Sequence, residues 1–151
     1  MIRLKLGAWV LDVDRDSTTQ YYKSLPLLTE ACGCNYCRNF LQVIPQLQEE
    51  TRGFFDQLGI DLTKEGEVYE LTANEDGSFS YGGFYHIAAN IVQSPSTEQL
   101  DPTISVGPFR IWFTTQLQLV PNRFPSPTLQ PEFEARVPWV LAEQPNTGSL
   151  E

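Results

Sequence analysis

The chain is poor in basic residues. Its 151 residues include 10 lysines and arginines against 19 aspartates and glutamates, which gives a formal net charge of -9. Three lysines and one histidine are present, and no run of basic residues occurs. Nucleic acids and anionic membrane surfaces are bound through clustered lysine and arginine. The charge balance therefore predicts no nucleic-acid partner and no membrane partner.

Long apolar runs are also missing. No segment approaches the roughly 20 consecutive apolar residues of a membrane span, and the N-terminal residues lack the core and cleavage site of a signal peptide. The three cysteines fall within six residues, a pattern that does not form a disulfide framework. These absences favour a cytoplasmic, reducing location.

The length fits one domain. A hydrophobic fraction of 41% and an aromatic fraction of 12% are typical of a globular chain. A chain this long buries a sizeable core and needs neither disulfides nor a metal to fold. We expect residues 1–149 to form one domain and interpret Leu150-Glu151 as a cloning scar.

Hydrophobic periodicity predicts an α+β fold. The N-terminal residues alternate from Ile2 to Val10, which indicates a strand, and Ser17-Thr18-Thr19 indicates a loop. Apolar residues then recur at helical spacing across about 35–58. Pro45 divides this region into two helices, about 35–44 and 46–58, and Gly59 suits a left-handed C-terminal position.

The rest of the chain is typical of β-structure. Strands are predicted at 67–72, 79–92, 109–120 and 132–141, with a hairpin turn at Asn74-Glu75-Asp76-Gly77 and loops at 93–108 and 121–131. Short connections favour antiparallel pairing. The predicted fold is thus a mostly antiparallel sheet of about five strands, with a two-helix insertion after the first strand.

The segment Cys32-Gly33-Cys34-Asn35-Tyr36-Cys37 is the chain's most unusual feature. Its thiols lie at a predicted helix N-terminus, where free N–H groups and the helix dipole stabilise a thiolate. A Cys-x-x-Cys spacing also lets two sulfurs reach one tetrahedral ion. Three interpretations stay open: inert buried thiols, a zinc site, or a redox-active pair formed by Cys34 and Cys37.

A closed zinc site needs a fourth ligand, and His86 is the only histidine. In the predicted strand 79–92, Phe79, Tyr81, Tyr85 and Ile87 form the core face, so His86 points to the other face. If the helix pair covers that other face, Cys32, Cys34, Cys37 and His86 form a Cys3His set for zinc. A hydrogen-bonded structural histidine is the alternative interpretation.

Three segments carry a resemblance. They are Cys32-x-Cys34-x-x-Cys37-x-Asn39-Phe40, Leu58-Gly59-Ile60-Asp61 and Gly83-Phe84-Tyr85-His86. Together they resemble a family of small uncharacterised bacterial proteins, over about residues 30–92. The resemblance implies no activity, but it favours the cysteines and His86 acting as one site.

The function expected from the sequence is a non-catalytic binding or structural module, with zinc as its candidate cofactor. The alternative is a thiol-dependent redox enzyme, or a metal or redox sensor, that uses Cys34 and Cys37. No catalytic residue is assigned, and a protein partner or self-association is the expected kind of interaction.

Overall fold

The structure, a computed structural model, describes residues 1–28, 34–64, 66–96 and 101–145. Within these ranges the fold is α+β, with three α-helices and a 3-10 turn: α1 (Arg15–Tyr22), α2 (Asn35–Val43), the turn Ile44–Gln46 and α3 (Glu49–Leu58). The described strands are β1 (Ile2–Leu6), β2 (Trp9–Val13), β3 (Glu67–Ala73), β4 (Ser78–Phe84), β5 (Ile87–Gln93), β6 (Ile104–Val106), β7 (Phe109–Thr114) and β8 (Thr128–Pro138).

The described strands form one antiparallel sheet of eight strands, more than the five predicted. Its order is β1-β2-β5-β8-β4-β3, and β7 pairs with β8 and carries β6. The antiparallel pairing was predicted correctly. The additional strands come from the N-terminal hairpin, from a division of the predicted strand 79–92, and from β6 inside a predicted loop.

Strand β8 holds the sheet together. One edge pairs with β4 from Pro138 to Glu132 and continues in the same register to β5 at Leu129 and Thr128. Its other edge pairs with β7. The backbone ladder is interrupted between β4 and β5 opposite Pro131, which has no N–H to donate, although Tyr85 N–H still donates to the Pro131 carbonyl at 3.0 Å.

The N-terminal strand of the prediction is a hairpin. Leu6 pairs with Trp9 across a turn at Gly7, whose φ of +61° lies in the left-handed region. This turn reverses the predicted phase: Trp9, Leu11 and Val13 are buried, whereas Ala8 and Val10 are only partly buried. Alternation alone does not show such a turn, because both strands of a hairpin share the two-residue period.

Helix α1 occupies the segment that the sequence predicted as a loop. Asp14 caps it by accepting hydrogen bonds from Ser17 N–H at 3.1 Å and from Ser17 Oγ at 2.8 Å. Thr18 is fully buried, and its hydroxyl accepts from Ala88 N–H at 2.9 Å. Serine and threonine are weak helix formers, so the cap and this contact with β5 stabilise a helix that propensity does not favour.

The helix pair was predicted with small errors at its ends. Helix α2 ends at Val43, and Pro45 lies in the 3-10 turn rather than at the start of the second helix. Helix α3 begins at Glu49 and ends at Leu58, and the φ of +84° at Gly59, which follows it, confirms the predicted left-handed position. The pair follows two strands and α1, not one strand.

Strands β7 and β8 correct two further boundaries. Strand β7 ends at Thr114 rather than at residue 120, and Leu117 and Leu119 beyond it are 40% and 73% exposed. The chain turns where Thr114 Oγ1 accepts from Gln116 N–H at 3.0 Å. Strand β8 begins at Thr128, inside the predicted loop 121–131, and ends at Pro138 rather than continuing to residue 141.

Helix α2 is fixed to the sheet by Phe40. This residue is 1% exposed, and its ring centroid lies 5.5 Å from that of Tyr81, 5.9 Å from that of Phe133 and 6.5 Å from that of Phe109. The three partners come from β4, β8 and β7. Helix α2 therefore covers the face of the sheet that carries Tyr81, and its N-terminal cysteines lie over that face.

Alanine substitutions at two glycines are expected to have opposite effects on stability. A Cβ at Gly83 would clash with the Glu67 carbonyl and lie 2.9 Å from the Phe133 ring, whereas a Cβ at Gly53 would meet nothing within 4 Å. We expect Gly83→Ala to lower the free energy of unfolding by about 1–3 kcal/mol through overpacking. Gly53→Ala should raise it by about 0.5–1 kcal/mol through helix propensity.

Urea denaturation of both variants beside the wild type measures the two effects. Equal effects of the two substitutions would contradict the tight β3–β4–β8 packing at Gly83.

Candidate functional site

The first turn of α2 carries two of the three cysteines. Cys34 is the N-cap residue, in extended conformation, and its side chain makes no capping hydrogen bond within the described part of the chain. The Cys34 carbonyl accepts from Arg38 N–H at 3.2 Å, which begins the helical ladder. Cys37 follows one turn later, so both side chains lie on the same side of the helix end. Cys32 lies outside the described residues.

The two sulfurs are in contact. Cys34 Sγ and Cys37 Sγ are 3.5 Å apart, and both residues are in the thiol form. Cys37 is 3% exposed, whereas Cys34 is partly exposed. The pair therefore combines one partly exposed cysteine with one buried cysteine.

Two tyrosines, Tyr36 and Tyr81, lie close to the cysteine pair. The Tyr81 hydroxyl donates to the Tyr36 carbonyl at 2.8 Å, within the helix turn that joins the two cysteines. Burial raises the pKa of Tyr81, and the neighbouring Cys37 and Cys34 raise it further. Burial is also the main cause of the raised pKa of Tyr36, with added contributions from Glu70 and Cys34. Both phenols therefore stay protonated as hydrogen-bond donors at neutral pH.

The C-terminal segment 139–145 is tied to the same helix end. Asn39, which is fully buried, donates to the Pro138 carbonyl at 3.1 Å and accepts from Val140 N–H at 2.7 Å. Arg38 forms a two-pronged ion pair with Glu143. Asn35 Nδ2 also donates to the Gln144 carbonyl at 2.8 Å, so side chains of α2 hold this segment at several points.

Aromatic rings form a surface beside the cysteine pair. The Trp139 ring lies 5.7 Å from the Tyr36 ring and 5.2 Å from the Phe79 ring. Tyr36 and Trp139 are both partly exposed. The partly exposed Cys34 therefore lies next to an aromatic surface that the helix and the C-terminal segment build together.

His86 lies on the other face of the sheet. Tyr81 and His86 follow one continuous register along β8 and differ by an odd number of residues, so their side chains point to opposite faces. Helix α2 covers the Tyr81 face. The Phe124 ring packs against His86 at 5.9 Å on the opposite side.

A hydrogen-bond network engages the His86 ring. Nε2 of His86 contacts the Gln118 carbonyl at 2.9 Å and Gln130 Oε1 at 3.1 Å. Gln130 Oε1 also accepts from Gln118 N–H at 2.7 Å, and Gln130 Nε2 donates to Glu132 at 2.8 Å. Both partners of Nε2 are therefore acceptors, so the ring proton is on Nε2. This geometry is that of a structural histidine.

The structure brings Cys34 and Cys37 together but does not bring His86 to them. Among the described residues, no group of three or more histidine, cysteine or acidic side chains is arranged to hold a metal ion. His86 does not approach the cysteines because the sheet lies between them. Because Cys32 is not described, zinc binding by the cysteines stays a prediction.

Sequence reasoning missed the partners of His86. Gln130 falls in the segment predicted as a loop, although its position opposite His86 follows once β8 is extended to Thr128. Gln118 was assigned to a strand that ends before it. No local signal marks either glutamine, because the network depends on strand register.

Comparisons of the chain with protein-family models, with curated proteins and with solved structures found no match. The resemblance to a bacterial family therefore stays a prediction. In the part of the chain that the structure describes, no helix is long and apolar enough to cross a membrane.

The His86 network predicts a pH dependence of stability. Burial lowers the pKa of His86, against smaller opposite effects of Gln130 and Gln118. The folded pKa is below the unfolded value of about 6.5, so as the pH falls the unfolded chain takes up a proton that the folded protein does not. The stabilising contribution is complete above about pH 7 and is lost as the pH falls through the folded pKa.

His86→Gln removes this titration. Urea denaturation at pH 7.5 and 5.5 should show a larger loss of stability in the wild type than in the variant. Equal losses would show that His86 titrates alike in both states.

The hydrogen bonds of Asn39 lead to a prediction about what holds the C-terminal segment in place. Asn39→Ala should lower the free energy of unfolding by about 1–3 kcal/mol, because the Val140 N–H and the Pro138 carbonyl lose their partner. Hydrogen exchange at Val140 should accelerate. Gln42→Ala, at an exposed position of the same helix, should change stability by less than about 0.5 kcal/mol. Unchanged exchange at Val140 in Asn39→Ala would contradict this account.

Proposed function

We propose that this protein is a thiol–disulfide exchange module in which Cys34 and Cys37 alternate between a dithiol and a disulfide. The observation that supports the proposal is the 3.5 Å contact between the two sulfurs at the start of α2. A disulfide bond is about 2.05 Å long, so the sulfurs need to approach by only about 1.5 Å. Side-chain rotation in the first helical turn supplies such a movement.

The difference in exposure assigns the two roles. Cys34 is partly exposed and attacks the substrate, and Cys37, at 3% exposure, resolves the intermediate from behind. The thiolate is the attacking form. Arg38 lies close enough to Cys34 for that thiol to contribute to the raised pKa of Arg38, although the hydrogen bond with Glu143 is the main cause.

The reaction is an exchange between the dithiol and a substrate disulfide. The Cys34 thiolate attacks one substrate sulfur, the substrate S–S bond breaks, and the leaving thiolate takes a proton from water. Cys37 then loses its proton and attacks Cys34 Sγ. The mixed disulfide breaks, and the second substrate thiolate leaves and is protonated. The protein loses two electrons and two protons, and the substrate disulfide gains both.

A zinc module is the second candidate, and the same sulfur contact favours it. Two thiolates on a tetrahedral zinc ion, at Zn–S distances of about 2.3 Å, are about 3.8 Å apart. The observed 3.5 Å is close to that value. This candidate needs two further ligands, and His86 is engaged with Gln118 and Gln130 on the other face.

Trapping with oxidised glutathione tests the exchange reaction. We expect Cys37→Ser to accumulate a stable glutathione adduct at Cys34, because the resolving thiol is missing. The wild type should form the adduct transiently and end with an internal disulfide. Cys34→Ser is the matched control and should form little adduct, since Cys37 is buried. All three proteins are made in a Cys32→Ser background, so that the third thiol does not react; the reference protein carries this substitution alone.

Intact mass and peptide mapping identify the products. Equal adduct formation in Cys34→Ser and Cys37→Ser would contradict the assigned roles. Failure of all three proteins to react would contradict the exchange function. Zinc bound one to one by reduced protein that retains Cys32, with its thiols protected from alkylation, would favour the second candidate.

A further inference from the structure

A groove lies between α1 and α3, apart from the cysteine pair. Its volume is about 1010 Å³, at the upper end of the volumes found for small-molecule sites. Residues of α1 and α3 form its walls, and the segment 59–64 forms its floor with Ile44. Neither Cys34 nor Cys37 lines it.

Apolar side chains lie beneath the polar rim of the groove. Tyr22, Phe55, Ile60 and Leu62 line the groove, and each is at most 5% exposed. The Tyr22 hydroxyl is directed away to the backbone of His86, to whose carbonyl it donates at 2.8 Å. The ring of Tyr22 lies at the base of the groove, and its hydroxyl is hydrogen-bonded elsewhere.

The rim concentrates positive charge in an acidic protein. Four of the chain's 10 basic residues line the groove, but only three of its 19 acidic residues do so. The four are Arg15, Lys23, Arg52 and Lys64. A concave site with excess charge of one sign raises the local concentration of small ions of the opposite sign.

None of these four cations forms an ion pair with a carboxylate in the described part of the chain. Arg15 donates to the Asp56 carbonyl at 2.7 Å, and Lys64 donates to the Leu25 carbonyl at 3.1 Å. Lys23 and Arg52 have neither an ion pair nor a side-chain hydrogen bond there. Among the acidic residues of the rim, Asp61 is occupied by Thr63, whose N–H donates to it at 3.0 Å.

Gly53 supports a binding role for the groove, independently of the charges on its rim. It lies inside α3 and lines the groove, and a Cβ there would meet nothing within 4 Å. Glycine in a helix interior is unfavourable. Neither turn geometry nor packing of the described residues requires it here. The missing side chain widens the groove at the wall where Arg52 lies.

We propose that this groove binds an amphipathic organic anion, a small molecule with an apolar body and one carboxylate, sulfonate or phosphate group. The apolar body lies on the floor beside Gly53, and the anionic group is held by the basic rim. This site is separate from thiol exchange and does not depend on it.

A matched pair of fluorescent probes tests the proposal. The probes are 8-anilinonaphthalene-1-sulfonate and N-phenyl-1-naphthylamine, which share the same ring system and differ in the sulfonate. We expect saturable binding of the sulfonate probe, and binding of the neutral probe at least tenfold weaker. The double variant Lys23→Gln/Arg52→Gln should bind the sulfonate probe at least tenfold more weakly than the wild type.

Gly53→Leu tests the shape of the groove. It should abolish binding by filling the space, while the melting temperature stays at or above that of the wild type. Lys5→Gln removes an exposed cation of β1 outside the groove and should leave the affinity unchanged. The far-ultraviolet circular dichroism of each variant shows whether it is folded.

The proposal is wrong if both probes bind equally, if the double variant binds the sulfonate probe like the wild type, or if Gly53→Leu keeps its affinity. Absence of saturable binding to the folded wild type would also contradict it.

Discussion

The fold depends on β8, because one strand pairs with β4 and β5 along one edge and with β7 along the other. Its inward residues Leu129, Phe133 and Val137 are each at most 3% exposed, and Phe133 contacts the Phe40 ring of α2. The position of the cysteine helix is therefore set by the sheet. The same strand supplies Gln130, which binds His86 on the opposite face. Strand β8 thus positions both the cysteine helix α2 and His86, and it keeps them on opposite faces of the sheet.

The sequence predicted the elements that local signals define. The Pro45 break, the left-handed Gly59 and the Asn74–Gly77 hairpin all lie where their backbone chemistry requires them. It missed α1, because Ser17, Thr18 and Thr19 are weak helix formers and the stabilising contact with Ala88 is distant in sequence. It also merged β1 with β2, since the two strands of a hairpin share the same two-residue period and the turn at Gly7 only shifts its phase.

The site was predictable in part. The spacing Cys34-x-x-Cys37 at a helix start is a local pattern, and the structure places the two sulfurs in contact. The location of His86 was conditional on which face the helices cover, a tertiary property that periodicity does not contain. The groove was not predictable at all, because half of its basic rim lies on α1 and at its end, on either side of the Ser17–Thr19 segment predicted as a loop. The clustering of Arg15 and Lys23 with Arg52 follows only from the packing of α1 beside α3.

The most direct test of the account is an equilibrium redox titration of the wild-type protein in glutathione buffers, with disulfide mapping at each point. The exchange function predicts one reversible two-electron transition in which Cys34 and Cys37 lose their thiols together and Cys32 keeps its own. The fold should stay intact throughout, because a core of this size does not depend on a disulfide. A chain that stays fully reduced across the whole series, or one in which Cys32 forms the disulfide, would contradict the central claim.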